Sequence, residues 1–381
     1  MLSRSCVAVL VATVVASGCL PLQPRRGLQT TPPAVNTLTL VGQFSIPPLG
    51  RYPDAIGLPF GGISGLATDP HGDLLGISDA QRGGRIYRFI IDGLGGALRV
   101  APVDFIPLAN ASPESVSDHE ALVALPNGSY LVASEGTGRE PRRPPAIDEF
   151  DRHGTHLGRL PLRDRYVPEP TGPVTRGARG NAGFESLTLS PDLARLFTAT
   201  ETALIQDAPP ATFDAGTRAR ILEYAVHAGS YRPAREFVYN IEPIEKPAFK
   251  PALFINGLVE LLALNRTTLL ALERGYVEDE AKTGASTNTI RLYRVSLAGA
   301  SDVSSMDSLK DRSDVVPVTK TLLLDLSRVP GLSPDLAPSL DNFEGMALGP
   351  RLPDGRASLV LVSDDNFRAS QRTWFLVFAI E

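Results

Sequence analysis

Residues 118–139 read DHEALVALPNGSYLVASEGTGR, and the fold can be inferred from this segment and its repeats. It holds an alternating apolar strand, the turn Asn127-Gly128 and a second apolar strand, which together indicate a β-hairpin. Four more copies follow the same pattern: GGISGLATDPHGDLLGISDA (61–80), GFESLTLSPDLARLFTATET (183–202), GLVELLALNRTTLLALERGY (257–276) and NFEGMALGPRLPDGRASLVLVSDDNF (342–367). Repetition of one supersecondary unit along the chain predicts a repeat architecture.

Each hairpin is followed by a third strand, which is often aromatic. These third strands are GRIYRFII (84–91), AIDEFD (146–151), ARILEYAV (219–226), TIRLYRVSL (289–297) and TWFLVFAI (373–380). The first four repeats continue into a fourth strand: VDFIPL (103–108), HLGRLPL (156–162), REFVYNI (235–241) and KTLLLDL (320–326). The fifth repeat has no fourth strand before Glu381, but TLTLVGQFSIP (37–47) has the same character and precedes repeat one. Borrowing that strand would cover the last open sheet edge.

The sequence therefore predicts an all-β fold, a β-propeller of four-stranded blades closed by its N-terminal strand. Five blades are indicated, and a sixth, degenerate blade within an insertion stays open. The longest insertions, 163–182 and 298–318, are rich in Gly, Pro, Ser and charge and are predicted to be surface loops. A two-sheet sandwich is the structural rival. No helical periodicity of twelve or more residues supports a doubly wound α/β enzyme.

Composition excludes several functional classes. The formal charge of −5 is mild, so no nucleic-acid partner is expected. Two cysteines allow neither a disulfide scaffold nor a Cys-rich metal site. The sequence has no G-x-S-x-G elbow and no H-E-x-x-H motif, so a serine hydrolase and a zinc protease are unsupported. We expect a monomer.

The N-terminus has the pattern of an export signal. Arg4 precedes an apolar run that is too short to span a bilayer, and Ala16-Ser17-Gly18 stands directly before Cys19. A Cys at this place resembles the bacterial lipobox, although an ordinary secretory peptide cut nearby is the alternative. We therefore predict a signal peptide (1–18), lipidated Cys19, a tether (19–36) and a propeller domain (37–381). The domain would be anchored to the bacterial membrane and would face the periplasm or the exterior.

Acidic residues recur at fixed places in the repeats. The first strand opens with an acid in repeats two to five, whereas repeat one has Ser64; these acids are Glu120, Glu185, Glu260 and Glu344. The second strand ends with an acid in every repeat: Asp79, Glu135, Glu201, Glu273, and Asp364 with Asp365. In an antiparallel hairpin the start of one strand lies beside the end of the next, so both sets are predicted to gather around the central opening.

Clustered carboxylates repel one another unless cations compensate them. Arginines follow the second strand in four repeats: Arg82, Arg139, Arg274 and Arg368. A bound Ca²⁺ would also suit the cluster, because Ca²⁺ takes six to eight oxygen ligands. The alternative is structural: the acids would accept backbone N–H bonds from neighbouring loops and hold the blades together. His119, next to Glu120, is a minor candidate for a general acid.

Several of these strings resemble the esterase-like phytase family, a phytase-like propeller domain of bacterial secreted proteins. The similar segments are GGISGL, DHEAL with ASEG, NAGFESL, LVELLAL with LALERG, and NFEGMALGP with LVLVSDDNF, and they cover about 60–381. The resemblance implies a propeller whose Glu and Asp residues hydrolyse phosphate esters, and likeness to alkaline phytases implies dependence on Ca²⁺. By resemblance the site positions are Glu120, Glu135, Glu185, Glu201, Glu260, Glu273, Glu344, Asp364 and Asp365.

Two functional hypotheses follow. The first is an exported, metal-dependent phosphate-ester hydrolase acting on a small phosphorylated substrate. Its expected metal ligands are Asp79, Glu135, Glu201, Glu260, Glu273, Glu344, Asp364 and Asp365. Its expected catalytic residues are Glu120, Glu185, Glu201, Arg139, Arg274 and Arg368, because the arginine fork matches phosphate geometry. The second is a non-catalytic binding propeller with structural carboxylates. A lactonase-like or other metal-dependent propeller hydrolase is a further alternative.

Overall fold

Twenty β-strands and two 3₁₀ turns, Asp164–Tyr166 and Leu326–Arg328, form the regular structure of the residues that the computed structural model describes. Those residues are 34–48, 59–80, 83–109, 118–283, 285–337 and 339–381. The predicted leader, Cys19 and most of the tether lie outside them. No helix in the described residues is long and apolar enough to cross a membrane.

The strands form five four-stranded antiparallel sheets. The N-terminal strand is β1 (Leu38–Ile46). Blade one contains β2 (Ile63–Thr68), β3 (Leu74–Ser78), β4 (Arg85–Asp92) and β5 (Arg99–Pro107). Blade two contains β6 (His119–Ala124), β7 (Tyr130–Ser134), β8 (Ala146–Phe150) and β9 (His156–Arg159). Blade three contains β10 (Thr188–Leu189), β11 (Arg195–Ala199), β12 (Thr217–His227) and β13 (Ser230–Ile241). Blade four contains β14 (Pro251–Ala263), β15 (Thr268–Asp279), β16 (Thr287–Ser296) and β17 (Thr319–Asp325). Blade five contains β18 (Asn342–Gly349), β19 (Ser358–Asp364) and β20 (Thr373–Ile380), and β1 completes it.

The ring is closed by the N-terminal strand, as predicted. β1 pairs antiparallel with β20, from Leu38 opposite Ile380 to Ile46 opposite Thr373. The innermost strands contact one another in the cyclic order β2, β6, β10, β14, β18 and back to β2. This arrangement confirms a five-bladed propeller and excludes the two-sheet sandwich. The described residues contain no sixth sheet.

The core lies between the blades rather than at the axis. Each of the five main apolar clusters of the described residues joins one pair of neighbouring blades. At the junction of blades five and one, Phe375 packs edge-on against Phe89 with 5.2 Å between ring centroids. The aromatic third strands of the repeats thus supply packing between blades, where alternate side chains of each strand face a neighbouring sheet.

The two long insertions do more than the surface loops that were predicted. In the first insertion Tyr166 is fully buried and donates a hydrogen bond to Glu236 in β13 at 2.9 Å. Arg165 donates to backbone carbonyls of the second insertion, including Ser304 at 2.9 Å. Arg220 in β12 pairs with Asp207 and Glu236, all three being buried. The insertions are packed onto blade three and onto each other because these charged groups are paired below the surface.

We expect Phe375→Ala to lower the free energy of unfolding by about 3–5 kcal/mol, because it leaves a cavity at a junction between blades. Chemical denaturation followed by tryptophan fluorescence measures this loss. Val316→Ala is the matched control, since Val316 is 52% exposed, and its effect should stay within about 0.5 kcal/mol. Equal losses in the two variants would contradict this account of the core.

Candidate functional site

A bulge near the start of the inner strand re-aims one residue in four of the five blades. The register shifts at Ser64 in β2, Glu120 in β6, Val259 in β14 and Glu344 in β18. Glu185 holds this position in blade three by sequence alignment. A β-bulge bends its strand and re-aims the extra residue, so these positions form the first ring of the site. The three glutamates in it are at most 8% exposed.

A second ring is formed where the second strand of each blade ends. The pairing of the two strands locates this ring. In each case the residue before the bulge pairs with a residue of the second strand, and the next residue along that second strand belongs to the second ring. The pairs are Ile63 with Ser78, His119 with Ser134, Leu258 with Glu273 and Phe343 with Ser363. The second ring consists of Asp79, Glu135, Glu201, Arg274 and Asp364. Blade four therefore contributes an arginine where the other four blades contribute an acid.

The sequence alignment of blade four was displaced by one residue at both strands. Glu260 was aligned with the first-ring acids, but Val259 occupies that position and Glu260 lies one residue deeper. Glu273 was aligned with the second-ring acids, but Arg274 occupies that position. The error arose because the segments VEL (259–261) and LER (272–274) each have an acid next to the correct position. The bulge that fixes the register cannot be recognised from the sequence.

Glu260 is buried and lies one residue beyond the first ring along β14. Its Oε1 accepts a hydrogen bond from the Leu261 N–H at 2.9 Å, and its carboxyl also accepts from the N–H groups of Met346 and Leu187. These bonds join the inner strands of blades three, four and five. The corresponding positions in the other blades are small: Gly65, Ala121, Ser186 and Gly345. Burial raises the pKa of Glu260, and the three N–H donors lower it in part.

Glu273 lies between blades three and four rather than at the rings. It accepts hydrogen bonds from the Tyr239 hydroxyl at 2.7 Å and from the Glu242 N–H at 3.3 Å, and it pairs with Lys320. Asp365 lies beside the rings, but its Oδ1 is held by the N–H groups of Gly62 and Phe367 at 2.9 and 3.1 Å. Both carboxylates thus have internal partners.

Arg274 is the cation of the rings. Its Nη2 lies 3.0 Å from Glu201 Oε1 and 3.3 Å from Glu344 Oε1, while its Nη1 donates to Asn342 Oδ1 at 2.8 Å. Burial disfavours its charge, but the surrounding carboxylates outweigh burial and raise its pKa above the usual value. The guanidinium is thus engaged by protein carboxylates, while its buried Nε has no hydrogen-bond partner within the protein.

The other predicted arginines are not part of the rings. The side chains of Arg139 and Arg368 are exposed, and no ion pair of the described residues joins either to a ring carboxylate. Their backbone N–H groups bond to Thr137 Oγ1 and to the Asp365 carbonyl. Arg82 lies outside the described residues.

Asp118 is a site residue that the sequence reasoning missed. Single carboxylate oxygens of Asp118, Glu120 and Glu135 all lie within 4.8 Å of one another. The string DHE contained the signal, because Asp118 stands two residues before Glu120 and directly precedes β6. His119, between them, points away: it is buried edge-on against Phe150, and burial lowers its pKa to about 4.

The carboxyls of the rings compete for protons. Burial and the charges of Glu185 and Asp118 raise the pKa of Glu135 well above its usual value, and Glu135 is hydrogen-bonded to both. Those bonds oppose the burial-driven increase in the pKa of Asp118 and of Glu185. The geometry therefore favours a proton on Glu135 that is shared with its two neighbours.

Burial, together with the charges of Glu344, Asp118 and Asp365, raises the pKa of Asp79 to about 8. Three buried oxygens at the rings have no hydrogen-bond partner within the protein: Asp79 Oδ1, Ser64 Oγ and Thr202 Oγ1. Ser64 is only 3% exposed and stands in the first ring. Unsatisfied buried polar atoms are costly, so these oxygens fit a site that binds a cation or an ordered polar ligand.

The fold and the site define a five-bladed propeller with two carboxylate-rich rings at one end of its channel. The chain belongs to the phytase-like family: residues 58–367 match the family model described as esterase-like activity of phytase.

One curated relative and several solved structures are similar to the chain. An "uncharacterized secreted protein" of Arthroderma benhamiae is 26% identical over 204 residues, and the match covers 48% of this chain and 38% of that protein. The chain thus spans well under two thirds of that relative.

Among solved structures, a PQQ-bound aldose sugar dehydrogenase from Streptomyces coelicolor is 12% identical with a TM-score of 0.35, covering 92% of this chain and 100% of that chain. A putative glycosidase from Bacteroides thetaiotaomicron is 10% identical with a TM-score of 0.39, covering 92% and 94%. A putative 6-phosphogluconolactonase from Bacteroides uniformis is 14% identical with a TM-score of 0.30, covering 80% and 79%. None of the three bears on the function of this chain.

We expect stability to fall as the pH rises when no divalent cation is present. The folded-state pKa of Asp79 is raised from 3.8 to about 8, so the folded protein binds this proton more tightly than the unfolded chain does. The resulting stability is full below pH 4 and is lost as the pH rises toward 8. Asp79→Asn removes this contribution, so its melting temperature should fall less between pH 5 and pH 8, by about 2 °C or more.

Thermal unfolding in chelator at pH 5 and pH 8 measures the effect. Asp335→Asn, at an exposed position outside the rings, is the matched control and should keep the wild-type dependence on pH. Identical pH dependence in wild type and Asp79→Asn would show that Asp79 does not hold a proton in the folded state.

Proposed function

We propose that this chain is an exported hydrolase of phosphate esters that acts at the two rings with a bound Ca²⁺. The observation that carries the proposal is the Asp118–Glu120–Glu135 cluster, whose oxygens lie within 4.8 Å of one another. Membership in a family described by esterase-like activity supports hydrolysis. The choice of phosphate esters rests on the resemblance to phytases.

The residues present fit a hard cation. All the atoms that could ligate a metal here are oxygens, and Asp79 Oδ1 and Ser64 Oγ have no hydrogen-bond partner within the protein. Asp79, Asp118 and Glu120 are the residues that would hold Ca²⁺, with Glu135 beside them as the protonated carboxyl. When bound, the cation supplies charge neutralisation and polarises a phosphoryl oxygen. Glu201 and Glu344 are paired with Arg274, and Glu260 and Glu273 have internal partners, so these four are poorer ligands.

Glu135 suits proton transfer. Its raised pKa, caused by burial and by Glu185 and Asp118, favours the protonated form that a general acid requires. In the proposed reaction water attacks phosphorus, the P–O ester bond breaks, and Glu135 gives its proton to the departing alkoxide. The proton of the attacking water passes to the neighbouring carboxylates, Glu185 or Asp118, and from there restores Glu135. Arg274 holds Glu201 and Glu344 in place and so positions the rings.

A non-catalytic binding propeller is the second candidate. It is favoured by the fact that Glu260, Glu273 and Asp365 all have internal hydrogen-bond or ion-pair partners. These carboxylates hold strands and blades together, as the structural interpretation of the acids predicts. The two candidates differ in turnover.

We also propose that the chain is exported and that Cys19 anchors it by a lipid to the outside of a bacterial membrane. The pattern of residues 1–19 supports this, and the relative described as secreted is consistent with export. We place the domain in the periplasm or at the exterior and expect it to act as a monomer.

We expect the purified protein to release nitrophenol or phosphate from at least one of nitrophenyl phosphate, bis-nitrophenyl phosphate and phytate in the presence of Ca²⁺. Activity should be lost in chelator and restored by added Ca²⁺. Glu135→Gln should lower kcat by about 100-fold or more, because it removes the transferable proton.

Glu273→Gln is the matched control, since Glu273 is a buried glutamate that lies away from the rings. Its kcat should stay within about threefold of wild type if the fold is intact, which circular dichroism verifies. Absence of turnover across the panel with and without Ca²⁺ would favour the binding propeller, as would full activity of Glu135→Gln.

Cys19→Ser should release the exported protein from the membrane. Acylation of Cys19 is the proposed anchor, so the variant should move from the membrane fraction to the soluble periplasmic or extracellular fraction. Cys6→Ser is the control, because Cys6 lies in the segment that is cleaved. Unchanged membrane association of Cys19→Ser would argue for an ordinary secretory peptide.

A further inference from the structure

A cleft of about 300 Å³ opens beside Glu135, between the loop that follows β7 and the first long insertion. Its polar lining includes Glu135 and Thr137 from the first wall and Arg179 from the second, together with Arg142 and Arg143. We call it the arginine cleft. One wall thus carries a ring carboxylate, and three arginines contribute to the lining of the same space.

The two walls are held together by close backbone contact. Gly138 and Gly180 pack against each other so tightly that a Cβ on Gly180 would lie 2.1 Å from the Gly138 Cα. Arg142 donates hydrogen bonds to the carbonyls of Glu169 at 3.2 Å and Gly172 at 2.9 Å, which ties the β7 loop to the insertion. The cleft is therefore fixed in shape before any ligand enters.

Arg179 has carbonyl partners only. Its Nε donates to the Ala203 carbonyl at 3.2 Å and its Nη2 to the Ala208 carbonyl at 2.9 Å. No ion pair among the described residues joins it to a carboxylate, and burial lowers its pKa. Arg142, in contrast, pairs with Glu140 at 2.9 Å. The carbonyls orient the Arg179 guanidinium without neutralising it, and Arg179 is a half-buried residue of the cleft lining.

We infer that the arginine cleft is the phosphate-binding subsite of this protein and that Arg179 is its main anion-binding residue. The inference rests on the proposed function and names other arginines than the sequence did. A guanidinium matches a phosphate in two parallel hydrogen bonds. A phosphomonoester seated here would place its ester oxygen on the side of Glu135, the residue that holds the transferable proton.

Isothermal titration of the full-length mature protein with inorganic phosphate tests this inference. Wild type should bind phosphate, and Arg179→Gln should weaken the affinity by about 10-fold or more. Arg176→Gln is the matched control, because Arg176 is exposed on the same insertion and does not line the cleft. Its affinity should equal that of wild type.

A second variant pair covers the case in which Arg179→Gln does not fold. Thr137→Glu introduces a negative charge into the cleft and should abolish phosphate binding, whereas Thr137→Gln should bind like wild type. Vesicles with phosphatidic acid, compared with phosphatidylcholine alone, separate a lipid phosphate from a soluble one. Binding that depends on Arg179, either to inorganic phosphate or to the phosphatidic acid vesicles, supports the subsite. The ligand that binds shows whether the phosphate is soluble or belongs to a lipid.

Glu135→Gln separates this inference from the proposed function. It should bind phosphate at least as well as wild type, because it removes a carboxylate from the cleft, while it loses hydrolysis. Phosphate binding that depends on Arg179, without any turnover, would contradict the proposed hydrolase function and would leave the phosphate subsite supported. Failure of wild type to bind 10-fold more tightly than Arg179→Gln, or full binding by Thr137→Glu, would overturn the subsite.

Discussion

Mutual repulsion of carboxylates on a closed ring is the constraint on which the rest of this structure depends. Inner strands, bulged in four of the five blades, and the ends of second strands direct seven acids to the two rings, where the side chains are buried. Charge in such a place must be paired, protonated or bound to a cation. Arg274 pairs with Glu201 and Glu344, while Glu135 shares a proton with its neighbours. Within the described residues, neither device places a cation on the blade-one and blade-two side of the rings.

The carboxylates divide into two groups by their partners. Glu260, Glu273 and Asp365 are satisfied by N–H, hydroxyl or ammonium donors from neighbouring blades, so they stabilise the ring in which they lie. Asp79 and the Asp118–Glu120–Glu135 cluster are short of donors, and Ser64 beside them has no hydrogen-bond partner within the protein. The second group is the one suited to bind or transform a ligand, because a carboxyl or hydroxyl can act on a ligand only if its oxygens are not already engaged in hydrogen bonds within the protein.

Most of the fold could be predicted from the sequence, whereas the site could be predicted only in part. The hairpin repeat and the spare strand at 37–47 determine blade number and closure, because each repeat must bury its faces against the next. Blade four was misaligned at Glu260 and Glu273, since bulge register depends on pairing that the sequence does not display. Asp118 was overlooked because it precedes the strand and has no counterpart at the same place in the other repeats.

The arginine cleft shows why repeat logic alone does not find a binding site. Periodicity brings equivalent residues of the blades together, but Arg179 lies in an insertion that has no equivalent in the other blades. The Gly138–Gly180 contact places this insertion beside Glu135. Rings with seven acids and a single arginine, itself paired with two of those acids, would repel an anion, so the proposed phosphate recognition requires a departure from the symmetry of the repeats. The first insertion breaks the symmetry of the repeats because it brings Arg179 into the same cleft as Glu135 of blade two, the carboxyl proposed to hold a proton.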